Sequence, residues 1–363
     1  MMATAIGLLA RSPARAAAAP CQLGMNIGEP FGANRAPLIP QYLYSVLQAS
    51  GTKAVRLHLV NGGFGDDWEG FCRAYTGYID KFIQHGSRVI GLVSSETIPG
   101  TPAQWNANSY EVTGKSGANP YLEKLSDFLA FMAARWQGKI HRYEIWNEPN
   151  EPETAIYPSN FVDLLAKCYL KLKWNAIQGV RLTSGGIYAH DIQGYNYANS
   201  AAGYLDSLLY TGLHVTGQFS WLLRTYGECA FDEVGTHLYV SQTRGMHVGD
   251  ITGIASYLDH YKAVLARYGL AAGLRITEAG WEVGPQATTV EQQAGNMNNL
   301  IAICRQRDDV VGLMVYKLMD ESTDARWGVT ASLQDQYSPR QGYFDWAQAN
   351  GVQQITVPPV DWG

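Results

Sequence analysis

The chain has 363 residues, 46% hydrophobic and 16% charged, which is ample material for a large core and excludes a disordered chain. Its 27 Lys plus Arg against 32 Asp plus Glu give a net charge of −5, without the clustered basic face that nucleic-acid phosphates require. Length alone fits either two domains or one α/β barrel, since such barrels run past about 250 residues as a single unit.

In chain order, residues 1–20 (MMATAIGLLARSPARAAAAP) join a short apolar run to an Ala-rich stretch with small residues suited to signal cleavage. The segment resembles a secretory signal, which implies export. It departs from that pattern in placing Arg11 and Arg15 after the apolar run instead of before it. A non-functional, disordered N-terminus on a cytoplasmic protein is the alternative. No stretch approaches the ~18 apolar residues of a membrane span, so no membrane partner is expected.

From Cys21 onward, β-like runs alternate with amphipathic stretches. The runs are 21–28, 53–60, 88–95, 141–148, 181–189, 231–240, 273–281 and 310–320. Helical patterns lie between them, among them 120–136 and 160–177, and Thr289 with Gln292 has capping-box spacing at the head of another. No linker, low-complexity block or charge run divides 21–363, so one domain is expected. Eight strand–helix units predict parallel strands joined by right-handed crossovers, closed into an α/β (β/α)8 TIM barrel. A doubly wound open sheet is the structural rival.

The five cysteines, Cys21, Cys72, Cys168, Cys229 and Cys304, are far apart, with no C-x-x-C pair, which argues against a zinc site. An odd count leaves at least one free thiol, with one or two disulfides open. G-x-S-x-G and H-E-x-x-H are both missing from the sequence. Gly114-Lys115-Ser116 has the end of a phosphate loop, but Ser109 stands where its first glycine belongs. No metal or cofactor is indicated.

The chemistry lies at two strand ends. Run four closes on Trp146-Asn147-Glu148-Pro149-Asn150 and run seven on Thr277-Glu278-Ala279-Gly280-Trp281. One Glu at a strand end is ordinarily an ion-pair partner. Two on non-adjacent strands of a barrel are expected to meet over the central mouth. Two close carboxyls do not both ionise freely, so the pair splits into an acid and a base, which is what cleaving an acetal needs. At a spacing of about 5–5.5 Å no water fits between them, and the reaction retains configuration through a glycosyl-enzyme.

YEIWNEPN, with THLYV and ITEAGW downstream, resembles the retaining glycoside hydrolases of clan A, a (β/α)8 superfamily. The wording is most like the branch holding families five and thirty-nine, the cellulase-like and β-xylosidase-like enzymes. The resemblance implies Glu148 as general acid/base, Glu278 as nucleophile and Asn147 as a hydrogen-bond partner of the sugar 2-hydroxyl. It implies supporting roles for His237 and Tyr239 on run six and for Arg56 on run two. Blander readings stand beside these. Arg56 also has a partner in Glu144, which alternation places on the face of Glu148, and His58 suits a substrate contact or a satisfied core residue. Aromatic faces pack on sugar C–H faces, which makes Trp281, Tyr316 and Trp327 candidates for the cleft, with Trp105 and Trp146 open between cleft and core.

The resemblance thus implies a retaining O-glycosyl hydrolase acting on a β-linked oligo- or polysaccharide, with a carbohydrate as its partner. A transglycosylase and an inactive glycan-binding barrel are the alternatives. A barrel lyase would draw on Lys317 and leave the Glu pair without a role.

Overall fold

The computed structural model describes residues 21–31, 39, 41–189, 200–239, 252–285, 287–320, 328–330 and 339–355. The signal-like segment 1–20 and Trp327 lie outside the described residues. The strands are β1 (Gln22–Gly28), β2 (Ala54–His58), β3 (Arg88–Val93), β4 (Ile140–Asn147), β5 (Arg181–Ala189), β6 (Glu233–Leu238), β7 (Gly273–Ala279) and β8 (Val310–Val315). Each pairs in parallel with the next, and β1 also pairs with β8, Gln22 opposite Gly312, so the sheet closes into a (β/α)8 barrel and the open sheet is excluded.

The helices are α1 (Gln41–Ala49), α2 (Trp68–Gln84), α3 (Pro102–Trp105), α4 (Tyr110–Thr113), α5 (Pro120–Arg135), α6 (Pro158–Trp174), α7 (Ala201–Tyr210), α8 (Gln218–Tyr226), α9 (Thr252–Arg267), α10 (Val290–Gln306) and α11 (Gln341–Ala349). Their starts follow local chemistry. The α10 capping box forms: the Gln292 amide donates to the Thr289 hydroxyl at 3.2 Å, and the Thr289 amide donates to Gln292 Oε1 at 2.8 Å. Proline at the first turn opens α5 and α6, where its missing N–H goes unneeded. No helix among the described residues is long and apolar enough to cross a membrane. All five cysteines are free thiols, so neither disulfide left open by the sequence forms.

The main core lies between the strands' outer faces and the helices. Ala54, Ile90 and Met314 form a separate small apolar cluster. The barrel's inner face is otherwise rich in charge. Glu233, 3% exposed, accepts from Arg275 Nε and Arg142 Nη2, both at 2.6 Å. A second charged layer sits at the strands' C-terminal ends.

Candidate active site

Backbone irregularity at the end of β4 decides what faces the mouth. Trp146 has φ +85° and Glu148 φ +48°, conformations that bulky L-residues rarely adopt. Strict alternation would turn Trp146 inward with Glu144. Instead its ring packs behind the strand, edge-on to Trp105 at 4.7 Å, and its Nε1 donates to the Thr154 carbonyl at 2.7 Å. Asn147 and Glu148 then both reach the mouth. Asn150 clamps the turn to β5, donating to the Tyr188 carbonyl at 2.9 Å and accepting from its amide at 2.8 Å. Trp105 and Trp146, each 1% exposed, are thus packing residues.

Close backbone approaches make room for the rest. At Gly186, opposite Asn147, a Cβ would lie 2.1 Å from His237 Nε2, so only glycine lets the imidazole in. At Gly280 a Cβ would lie 2.0 Å from the Tyr316 carbonyl oxygen, so the ends of β7 and β8 meet only without one.

Arg56, 4% exposed, organises the site. Its Nε donates to Glu144 Oε2 at 2.5 Å, and its Nη1 donates to Glu278 Oε1 at 2.5 Å and Asn26 Oδ1 at 3.0 Å. Its Nη2 donates to Asn147 Oδ1 at 3.0 Å and lies 3.4 Å from His237 Nε2. The guanidinium therefore holds Glu144, the partner expected from alternation, and the strand-seven carboxylate at once. The Tyr239 hydroxyl donates to Glu278 Oε2 at 2.7 Å, and His237 Nδ1 lies 2.8 Å from Glu148 Oε1 and 3.6 Å from Glu278 Oε2. A carboxylate oxygen of Glu148, one of Glu278 and a ring nitrogen of His237 lie within 4.8 Å of one another.

Burial alone would push the Glu278 carboxyl up. His237, Arg56 and Tyr239 outweigh it and hold the group below the usual carboxylate range. Burial works against charging His237 too, but Glu278 and Glu148 prevail and raise its pKa. Burial, then the charge of Arg56, pushes His58 down to about 3, so the neutral ring hydrogen-bonds Ser94 Oγ at 2.9 Å and forms no ion pair with Glu96, 3.2 Å away.

These groups surround a cavity of about 640 Å³ that also takes in His58, Tyr188, Tyr316, Lys317, Glu29, Glu96 and Glu151. Of the residues singled out in the sequence, Glu148, Glu278, Asn147, Arg56, His58, Tyr239 and Tyr316 line it, and His237 reaches it through Glu148. Trp281 does not line it. This is a correction: only 2% exposed, its ring belongs to the main core, and its carbonyl accepts from Gln293 Nε2 at 2.8 Å. Sequence reasoning missed Asn26 and Tyr188, whose only signal was a place at a strand end. Glu148, His237 and Glu278 form a group of metal-type ligands among the described residues. Arg56, 2.5 Å from Glu278, already supplies the counter-charge there and would repel a dication.

A scan of protein-family models gives no match to the chain, and neither does a search of curated proteins. Solved structures do match. A family 39 glycoside hydrolase from the gut symbiont Bacteroides cellulosilyticus is 15% identical with a TM-score of 0.60, covering 92% of this chain and 64% of its own. The chain therefore spans less than two thirds of that protein. A GH5 subfamily 18 protein from Streptomyces cattleya, solved with GlcNAc, is 13% identical (TM-score 0.60, 94% of this chain and 82% of its own). Xylanase 10B from Thermotoga maritima is 12% identical (TM-score 0.56, 92% and 95%). At such identities the likeness is one of fold.

Proposed function

We propose that the protein is a retaining glycoside hydrolase cleaving β-linked oligo- or polysaccharide, with Glu148 as acid/base and Glu278 as nucleophile. One observation carries the reading: carboxylate oxygens of Glu148 and Glu278 come within 4.8 Å across one cavity, in unlike surroundings. Such close oxygens accord with the roughly 5–5.5 Å between the carboxyl groups of a double-displacement pair better than with the roughly 6.5–9.5 Å of an inverting one. Glycoside hydrolases among the structures sharing this fold support the same reading.

The roles follow from the surroundings. Glu278 accepts from Arg56 and Tyr239 and stays ionised, ready to attack the anomeric carbon. Glu148, with a side chain 23% exposed, shares a proton with His237 and can protonate the leaving oxygen. In the second half-reaction Glu148 takes a proton from water, which attacks the anomeric carbon and releases Glu278. Asn147, held by Arg56, is placed to meet the sugar 2-hydroxyl. A sugar hydroxyl in place of water would make the enzyme a transglycosylase, and products formed at high substrate concentration distinguish the two. The signal-like N-terminus supports export, which mass spectrometry of the secreted chain would test.

Glu278→Ala should lower turnover of an aryl β-glycoside by about four orders of magnitude or more. Azide should restore it, giving a glycosyl azide of inverted configuration. In Glu148→Ala the azide product should retain configuration, and substrates with poor leaving groups should suffer far more than activated ones. Near-wild-type rates in Glu278→Ala would refute the nucleophile assignment. Because Arg56 beside Glu278 would repel a dication at the Glu–His–Glu group, turnover followed in EDTA should show no loss.

A further inference from the structure

Beneath the two carboxylates lies a third that the proposed reaction does not use. Glu144 is wholly buried. Its Oε2 accepts from Arg56 Nε at 2.5 Å, while its Oε1 has no hydrogen-bond partner among the described residues and lies 3.9 Å from His237 Nε2. A fully buried carboxylate with one oxygen unpaired is costly, and only its pairing with Arg56 offsets that cost. The charge is therefore placed for a task.

We propose that Glu144 is a positioning residue whose buried charge aims Arg56 at Glu278 and keeps the shared proton on the His237–Glu148 pair. The inference rests on the glycosidase reading above. Through Nε, Glu144 fixes the plane of the guanidinium, so that Nη1 faces Glu278 and Nη2 faces Asn147. An arginine held at one edge by an anion has its remaining N–H groups aimed, as a lysine could not be. With the shared proton between His237 Nδ1 and Glu148 Oε1, His237 Nε2 is left to accept from Arg56 Nη2 at 3.4 Å, 3.9 Å from Glu144 Oε1.

The charge count gives the direction. Arg56 from β2 and His237 from β6 face Glu144, and beyond them lie His58 on β2, Glu148 and Tyr239 just past the ends of β4 and β6, and Glu278 from β7. Arg142, Glu233 and Arg275 pair among themselves in the layer below. With His58 and Tyr239 neutral, Arg56 offsets one of the two anions Glu144 and Glu278. The negative charge left over favours retaining one proton on His237 and Glu148. Without Glu144, Arg56 would act on Glu278 alone, and both carboxylate and imidazole would lose their protons at lower pH.

The test is the pH profile of kcat/KM on an activated and a poor aryl β-glycoside for wild type, Glu144→Gln and Glu144→Asp. With Glu144→Gln both limbs should move to lower pH by about one unit or more. In Glu144→Asp, which keeps the charge but draws it back by one methylene, they should move the same way by less. NMR titration of the His237 imidazole, assigned with His237→Gln, should show its midpoint falling in the same order without reference to turnover. Should Glu144→Gln fail to fold, the Asp variant decides alone. Limbs and midpoint that stay at their wild-type positions while rates fall uniformly would overturn the proposal. If wild type turns over no glycoside, the reaction is misread, and the histidine titration still decides the role of Glu144.

Discussion

Tyr239 shows how much one hydroxyl can decide. It is buried, and its O–H donates to Glu278 Oε2 at 2.7 Å, opposite the Arg56 contact on Oε1. A hydrogen bond to a charged group contributes about 1.5–3 kcal/mol, and here it favours the ionised form. Burial, then the charge of Glu278, pushes the Tyr239 phenol well above its usual pKa, so it remains a donor across the working range. Tyr239→Phe should therefore raise the Glu278 pKa and move the acidic limb of kcat/KM to higher pH. The rate should fall by about 10- to 100-fold. The shift runs opposite to the one expected for Glu144→Gln, so the two variants separate a lost donor from a lost charge. An unmoved acidic limb would show that Glu278 does not govern it.

At the scale of elements, regular structure was readable and its interruptions were not. Parallel strands covered on both faces read as short β-branched and apolar runs, which is why the run at 141–148 falls on β4 (Ile140–Asn147) and that at 231–240 on β6. The run at 310–320 overshoots. β8 ends at Val315, and the residues beyond turn into a loop in which Val329 donates to the Lys317 carbonyl at 3.1 Å. That both glutamates meet Arg56, His237 and Tyr239 was legible because strand ends in a barrel share one mouth. The fate of the tryptophans was not, because it hangs on where alternation breaks. The positive φ of Trp146 sends its ring to Trp105, and burial takes Trp281 into the core. Gly186 carried no sequence signal beyond its doubling with Gly185, yet it makes the space for His237. Gly186→Ala should force the imidazole off Glu148, lower kcat and destabilise the fold by about 1–3 kcal/mol, read by thermal melting. A variant with wild-type activity would mean that β5 yields at this point.

Across the whole molecule, the barrel interior stacks charge where most cores stack apolar side chains, and this ties stability to pH. The folded-state pKa of Glu278 is depressed, so its contribution is present above the unfolded value of about 4.3 and is lost as pH falls through the folded one. That of His237 is raised, so its contribution is present below the unfolded value of about 6.5 and is lost as pH rises through the folded one. Both are complete only between those two ordinary values, in weakly acidic solution. Calorimetric Tm should peak in that window, and its decline on the alkaline side should flatten in His237→Gln, with a smaller flattening on the acid side because Glu278 loses the imidazolium that helps to depress it. Glu278→Gln should flatten the acid side and, by the same coupling, part of the alkaline one. Each variant removes one partner of a coupled set, so the double variant should lose less than the sum of the two. Parallel Tm curves for wild type and His237→Gln from weakly acid to weakly alkaline pH would mean that the imidazole carries no charge in the fold.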